Sequence, residues 1–242
     1  AVEEAISLSF SKRFIIEDYI EQKGYSSDSD CFSLDGKLVF CSFSDQMFED
    51  NAANPYTPAA YVWPNTMSPI EKKDLEEELQ RLFVLLDLKS SIYNIETRVG
   101  INGVPYIMEV SPRGGGNRIS EILTKATGVN LIRSAIQAAV GEPIDFPRHF
   151  EYDGVWAELI LYSQQEGIFR GLDIDKSIQA YLVEQDLWVE PGTKVYPFTG
   201  ANASLGTLIF KFKSRQELEL HWKGIRNHIS IELTDENSNI RG

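Results

Sequence analysis

Between Ile92 and Val110 the chain runs through two β-rich stretches separated by Asn102-Gly103, the dipeptide that most strongly favours a tight two-residue hairpin turn. Such a turn fixes a register in which Ile101 faces Val104, Val99 faces Tyr106 and Glu96 faces Glu109. Because side chains alternate along a strand, Asn94, Glu96, Glu109 and Ser111 then share one face of the sheet. Like charges directly opposite one another are destabilising, so the pair needs a cation, a shared proton or thorough solvation. A hard divalent ion answers that need. Carboxylate oxygens suit magnesium, which keeps some waters and takes further ligands from substrate phosphates.

Two glutamates on a solvated sheet face also occur without any function, and the pair alone leaves both readings open. Arg113 tilts the balance, placed just beyond the second glutamate in Glu109-Val110-Ser111-Pro112-Arg113-Gly114-Gly115-Gly116-Asn117. A guanidinium beside a magnesium site can hold a phosphoryl or acyl-phosphate group through paired hydrogen bonds. The three glycines let backbone approach a ligand closely, or simply connect to the next helix. The run lacks the Lys-Ser/Thr ending of a Walker-type phosphate loop.

Around this core the elements follow from periodicity and punctuation. Residues 13 to 44 alternate β-rich runs, Phe14-Ile15-Ile16 and Leu38-Val39-Phe40, with a turn at Asp35-Gly36, and predict antiparallel strands starting almost at the beginning of the chain. The Asn- and Pro-rich tract from Glu49 to Thr66, with Tyr56, Tyr61 and Trp63, reads as an ordered surface loop and candidate lid. Ser68-Pro69-Ile70-Glu71 is a capping box opening a long helix with Leu75, Leu79, Leu82, Phe83 and Leu86 on one face. Two short helices end near Gly128 and Gly141, and Glu142-Pro143 marks a boundary. Beyond it the alternation of Val155, Ala157, Leu159 and Leu161 opens a mostly β region. One helix interrupts that region, from a second capping box at Ser214 to Glu217, with Leu218, Trp222, Ile225 and Ile229 in one stripe.

Ile95-Glu96-Thr97-Arg98 and Ile107-Met108-Glu109-Val110-Ser111-Pro112-Arg113 resemble the paired metal-binding strands of the ATP-grasp superfamily. There the second strand usually ends Glu-x-Asn-Pro-Arg, with both glutamates and the Asn on magnesium and the Arg assisting phosphate chemistry. Ser111 stands where that Asn is expected, so the resemblance leaves the third ligand to Asn94, lying opposite Ser111, to a shared water, or to Asn117. Phe14 to Ile20 resembles the segment that joins the two halves of the grasp and reads adenine. By that resemblance Glu17 accepts from the adenine amino group, the backbone of Asp18 and Ile20 meets the ring edge, and Asp28 or Asp30 lies near the ribose or the amine substrate.

The resemblance covers roughly Phe14 to Gly141, and the remainder is similar to the small carboxy-terminal domain of L-amino-acid ligases and carbamoyl-phosphate-synthase-like proteins. It implies an α+β fold. An antiparallel sheet with helices, the carboxy-terminal part of the grasp, occupies 1–143, and a small β-rich α+β domain occupies 144–242. It further implies a carboxylate–amine ligase using ATP and Mg2+ or Mn2+, acting on small-molecule acids and amines through an acyl phosphate. Its phosphate loop and phosphate-binding Lys are expected upstream of Ala1, in a missing N-terminal half of the same chain, so this segment alone is expected to be inactive. A carboxylase, a purine-pathway ligase and a non-catalytic nucleotide-binding module remain alternatives.

A net charge of -13 over 242 residues argues against nucleic acid and anionic membrane as partners. The absence of a long apolar run or a basic, greasy leader predicts a cytoplasmic protein. Cys31 and Cys41 have no metal-like spacing and read as small core residues, and the three scattered histidines receive no role.

Overall fold

A computed structural model describes residues 2–49, 52, 54–147 and 149–235. The chain opens on helix α1 (Val2–Leu8) and crosses residues 13–21 in neither helix nor strand. The strand expected at Phe14-Ile15-Ile16 does not form; Ile15 and Ile16 are 81% and 78% exposed, with no sheet neighbour to cover them. β1 (Ser27–Leu34) and β2 (Lys37–Cys41) make the expected hairpin. Its turn residues Asp35 and Gly36 take φ of 51° and 81°, the left-handed pair such a dipeptide accommodates.

β3 (Asp45–Phe48) and β4 (Pro58–Trp63) correct the reading of Glu49 to Thr66 as a surface loop. Tyr61 and Trp63 are 1% and 0% exposed, because β4 is an inner strand rather than a covering segment. Pro58 is tolerated at its first residue, where a missing N–H costs the ladder least. Residues 50, 51 and 53 of that tract lie outside the described residues.

Helix α2 (Pro69–Leu85) starts from the capping box in full: Glu71 N–H donates to Ser68 Oγ at 3.3 Å and Ser68 N–H to Glu71 Oε2 at 2.8 Å. Leu75, Leu79 and Phe83 are its buried stripe. β5 (Ser91–Val99) and β6 (Pro105–Ser111) form the central hairpin, but not through a two-residue turn. Gly100 N–H donates to Val104 O at 2.8 Å and Gly103 has φ 77°, so Ile101 to Gly103 form a three-residue loop and Val99 pairs with Pro105 rather than Tyr106. A bulge between Thr97 and Glu96 places Met108 as an extra residue on β6, after which Glu96 pairs with Glu109 and Asn94 with Ser111.

Helices α3 (Ile119–Thr127) and α4 (Leu131–Val140) end on Gly128 and Gly141 in left-handed conformation, as expected. Then come β7 (Val155–Tyr162), β8 (Gly167–Ile174), α5 (Lys176–Gln179), β9 (Leu182–Leu187), β10 (Lys194–Val195), β11 (Ser204–Phe212), α6 (Arg215–Trp222) and β12 (Ile229–Thr234). The last helix is shorter than its apolar stripe suggested. Gly224, at φ 85°, ends the helical run, so Ile225 and Ile229 join the core from a 3-10 turn and from β12. Its capping box is half made: Glu217 N–H donates to Ser214 Oγ, while Glu217 Oε2 accepts from Lys213.

Three sheets result, ordered β2-β1-β5-β6, β3-β4-β7-β11-β9 and β10-β8-β12. Helix α2 covers one face of the first, packing Leu75, Leu79 and Phe83 on Cys31, Tyr93 and Ile95. The other face shares a core with α3 and with Tyr61, Trp63 and Ile209 of the second sheet. The far side of the second sheet packs on the third through Leu159, Phe210 and Phe169. The second sheet combines strands from both sides of residue 143. Cys31 and Cys41 are register partners on β1 and β2 and both are free thiols, as the sequence suggested.

Candidate functional site

The first sheet turns one strand face towards α3 and the glycine run, and its registers align two rows of polar side chains. Asp28 of β1 pairs with Glu96 of β5, which pairs with Glu109 of β6; one pleat along, Asp30 pairs with Asn94 and Asn94 with Ser111. Alternation puts all six on the same face. Sequence reasoning placed the middle and right columns of this grid. The left column was legible in the period-2 spacing of Asp28 and Asp30, but only the pairing of β1 with β5 brings both aspartates to the glutamates.

Burial grades across the grid. Asp28, Asp30 and Asn94 are buried, Glu96 is half-buried, and Glu109 is exposed. The buried part is densely hydrogen-bonded. Asn94 Nδ2 donates to Asp28 Oδ1 at 2.6 Å and to Asp30 Oδ1 at 3.3 Å, and Tyr61 Oη donates to Asp28 Oδ2 at 3.2 Å. Asp30 accepts from Gly115 N–H at 2.8 Å and from the Ser120 hydroxyl. Burial pushes the Asp28 and Asp30 carboxyls above the usual range despite these donors. Glu96 is raised too, first by burial and then by the negative charges of Asp28 and Glu109.

The face therefore carries more negative charge than Arg98 and Arg113 offset. The oxygen donors offered, two glutamate carboxylates beside a hydroxyl, suit a hard divalent cation. Among the described residues no three His, Cys, Asp or Glu side chains converge on a metal position, so a cation here would draw remaining ligands from water and substrate. The donors considered for the third ligand have other partners. Asn94 gives its amide nitrogen to the aspartates, Ser111 Oγ donates to Glu109 Oε1 at 2.7 Å, and Asn117 lies against the Tyr61 hydroxyl. Arg113 bends back to donate to Gly114 O at 2.9 Å.

One pleat beyond Glu96 on the same face, Arg98 reaches the segment preceding β1. Its Nη1 donates to Ile20 O at 3.0 Å, its Nε to Ser26 Oγ at 3.3 Å, and its guanidinium lies 5.7 Å over the Tyr19 ring. A cleft of about 700 Å3 opens there, lined by Tyr19, Glu21, Tyr25, Gln46, Tyr56 and Arg98 among others. Glu17 and Asp18 are exposed and do not line it, and the Ile20 carbonyl is taken by Arg98. Arg98 was missed at the sequence level although its spacing from Glu96 put it on the right face.

Behind the grid, Glu158 of β7 is 0% exposed, and neither carboxylate oxygen has a hydrogen-bond partner among the described residues. Burial pushes its carboxyl well above the usual range, with Arg118 the opposing positive charge. Arg118 itself is committed to Glu121 and Glu184, each at 2.5 Å.

Residues 3–121 match the ATP-grasp domain family model. The carbamoyl phosphate synthase large chain of Ralstonia nicotianae is 24% identical over 171 residues, covering 69% of this chain and 15% of that protein. Carnosine synthase 1 of Homo sapiens is 23% identical over 136 residues, 56% of this chain and 16% of that one. Among solved structures, L-amino acid ligase from Bacillus licheniformis superposes with a TM-score of 0.76 at 19% identity, over 90% of this chain and 55% of its own. Phosphoribosylglycinamide synthetase from Anaerococcus prevotii gives 0.75 at 19% identity, over 96% and 58%. The chain thus spans somewhat more than half the length of these solved structures and a small fraction of the curated relatives.

Proposed function

Residues 3–121 make this chain an ATP-grasp protein, and on that premise we propose that it is the nucleotide and cation side of an ATP-dependent ligase joining a small carboxylic acid to an amine. The carrying observation is the row Asp28, Glu96, Glu109, a like-charge array beside Arg113 that a bound cation would relieve. In this reading 1–143 supplies nucleotide and cation contacts and 144–242 the supporting domain. The phosphate loop comes from an N-terminal half of the same polypeptide, without which the chain does not turn over ATP. The working compartment is the cytoplasm, and among the described residues no helix is long and apolar enough to cross a membrane.

The reaction proceeds by attack of a carboxylate oxygen on the γ-phosphorus of ATP with ADP leaving. The resulting acyl phosphate is then attacked at its carbonyl carbon by the amine, releasing phosphate and a proton to give the amide. Glu96 and Glu109 would hold Mg2+ or Mn2+, which when bound offsets charge on the transferring phosphoryl oxygens. Arg113, released from its own backbone, donates to the same oxygens. Asp30 and Asn94 keep the Arg113-to-Asn117 run at a fixed distance from the glutamates, so the protein's part is chiefly positioning. Arg98 fixes the Tyr19–Ile20 segment beside the base cleft.

The test is acid-dependent ADP release by the full-length polypeptide with hydroxylamine as the trapping amine, measured for the parent and for Glu96→Gln/Glu109→Gln. Hydroxamate formation that needs divalent cation and drops at least a hundredfold in the double variant is expected. Nucleotide binding without hydroxamate from any acid would instead mark a non-catalytic module.

A further inference from the structure

The face of β5 that carries Glu96 continues in the direction away from Arg98, and there the chemistry changes. Arg98, Glu96, Asn94 and Ile92 succeed one another on that face. They span ~20 Å at about 3.3 Å per residue. The Arg98 end opens into the cleft with three tyrosines and polar edges, suited to a base. The Ile92 end opens into a second cavity of about 530 Å3, walled by Ile92, Gly116, Ile132, Ala135, Ile136 and Ala139. Between the two lie the carboxylates and, through Gly114 and Gly115, Arg113.

The second cavity is apolar where the first is not. Its one strong charge pair is Arg118 with Glu121, and Arg118 is also held by Glu184 at 2.5 Å and faces Asp186 at 3.5 Å, so its positive charge is offset within the protein. Ile132 and Ile136 remain 46% and 60% exposed on its α4 side, apolar surface that a ligand would cover. The mouth is open at Gly116, where a Cβ would meet nothing within 4 Å. Gly114, Gly115 and Gly116, which follow Arg113 directly in the chain, line this cavity, so Arg113 adjoins it.

We propose that the cavity between the Gly114–Gly116 run and α4 is the side-chain pocket for the acid that becomes phosphorylated, and that it selects acids with an apolar substituent over charged ones. This rests on the ligase reading and adds the substrate class to it. The volume accommodates a branched aliphatic or phenyl side chain. Ala135 and Ala139 line its α4 wall, Ala135 half-buried and Ala139 exposed.

The experiment measures kcat/KM of the full-length polypeptide for alanine, leucine, phenylalanine and aspartate as acids, with MgATP and hydroxylamine, for the parent, Ala139→Phe and Ile136→Asp. Leucine or phenylalanine should exceed aspartate at least thirtyfold in the parent. The leucine-to-alanine ratio should fall at least tenfold in Ala139→Phe, and in Ile136→Asp as well, both exposed positions that tolerate the change in the fold. Equal use of aspartate, or ratios that neither variant moves, overturns the pocket while leaving the ligase reading standing. Hydroxamate from none of the four acids, nor from acetate, succinate or 3-phenylpropionate, overturns both.

Discussion

The carboxylate of Asp30 on β1 accepts the backbone N–H of Gly115 at 2.8 Å, tying the first sheet directly to the loop that carries Arg113. Ser120 and Asn94 donate to the same carboxylate, which is fully buried. Asp30→Ala would leave the buried Ser120 hydroxyl and the part-buried Gly115 N–H without this acceptor, while Asn94 keeps Asp28 and the Ser29 carbonyl. A loss of about 3 kcal/mol in unfolding free energy is expected, read as a lower urea midpoint at unchanged slope. A variant as stable as the parent would show the contact to be incidental.

Gly115 is constrained from the other side of that bond. A Cβ on it would stand 2.7 Å from Asn94 Nδ2, 2.8 Å from Ile119 Cδ1 and 3.0 Å from Asp30 Oδ1. Gly115→Ala must push the glycine run off the sheet, at a cost of about 1–3 kcal/mol. Gly116→Ala, with open space around its Cβ, serves as the control and should fall within about 0.5 kcal/mol of the parent. Equal unfolding midpoints for the two variants would contradict the packing described.

The pairing of Glu96 with Glu109 was legible in the sequence, yet for a reason only half right. Asn102-Gly103 suggested a two-residue turn, whereas the chain uses Ile101 to Gly103 with Gly103 left-handed, which shifts the register by one. The bulge at Met108 shifts it back before Glu109, so two local departures cancel at the site. Helix punctuation at Ser68, Gly128 and Gly141 was readable because caps act through near neighbours. β4 was not, because its strand character comes from β3 and β7 on either side rather than from its own Pro-rich flank. Tyr61 and Glu158 reach the site through pairings between strands far apart in sequence, which no local pattern encodes, whereas Arg98 was readable from its two-residue spacing on the strand of Glu96.

Glu158 should make the protein less stable as pH rises. Its folded-state carboxyl is raised well above the 4.5 of the unfolded chain, so the native state holds the proton longer. Stability from this group is complete below about pH 4.5 and is lost as pH climbs towards the raised value. Asp28, Asp30 and Glu96 add the same sign. Glu158→Gln keeps the shape and removes the titration, so its urea midpoint should decline less steeply between pH 5 and 8 than the parent's, and exceed it at pH 8. A midpoint that falls just as steeply in the variant would remove Glu158 as a source of the trend.

Cation binding should show the opposite dependence on pH, because the ligand is the ionised carboxylate. Glu96 is raised by burial and by the charges of Asp28 and Glu109, so affinity for Mn2+ should fall on acidification at a pH above that of an ordinary glutamate. Asp28→Asn removes one of those charges without touching either proposed ligand. The acid midpoint of Mn2+ binding, followed by water-proton relaxation in the presence of ADP, should then move to lower pH. If the midpoint stays in place, Asp28 does not feel the occupied site and the three-strand row is not a single electrostatic unit. If it rises, Asp28 is itself a ligand and the cation sits one strand nearer β1 than the glutamate pair implies.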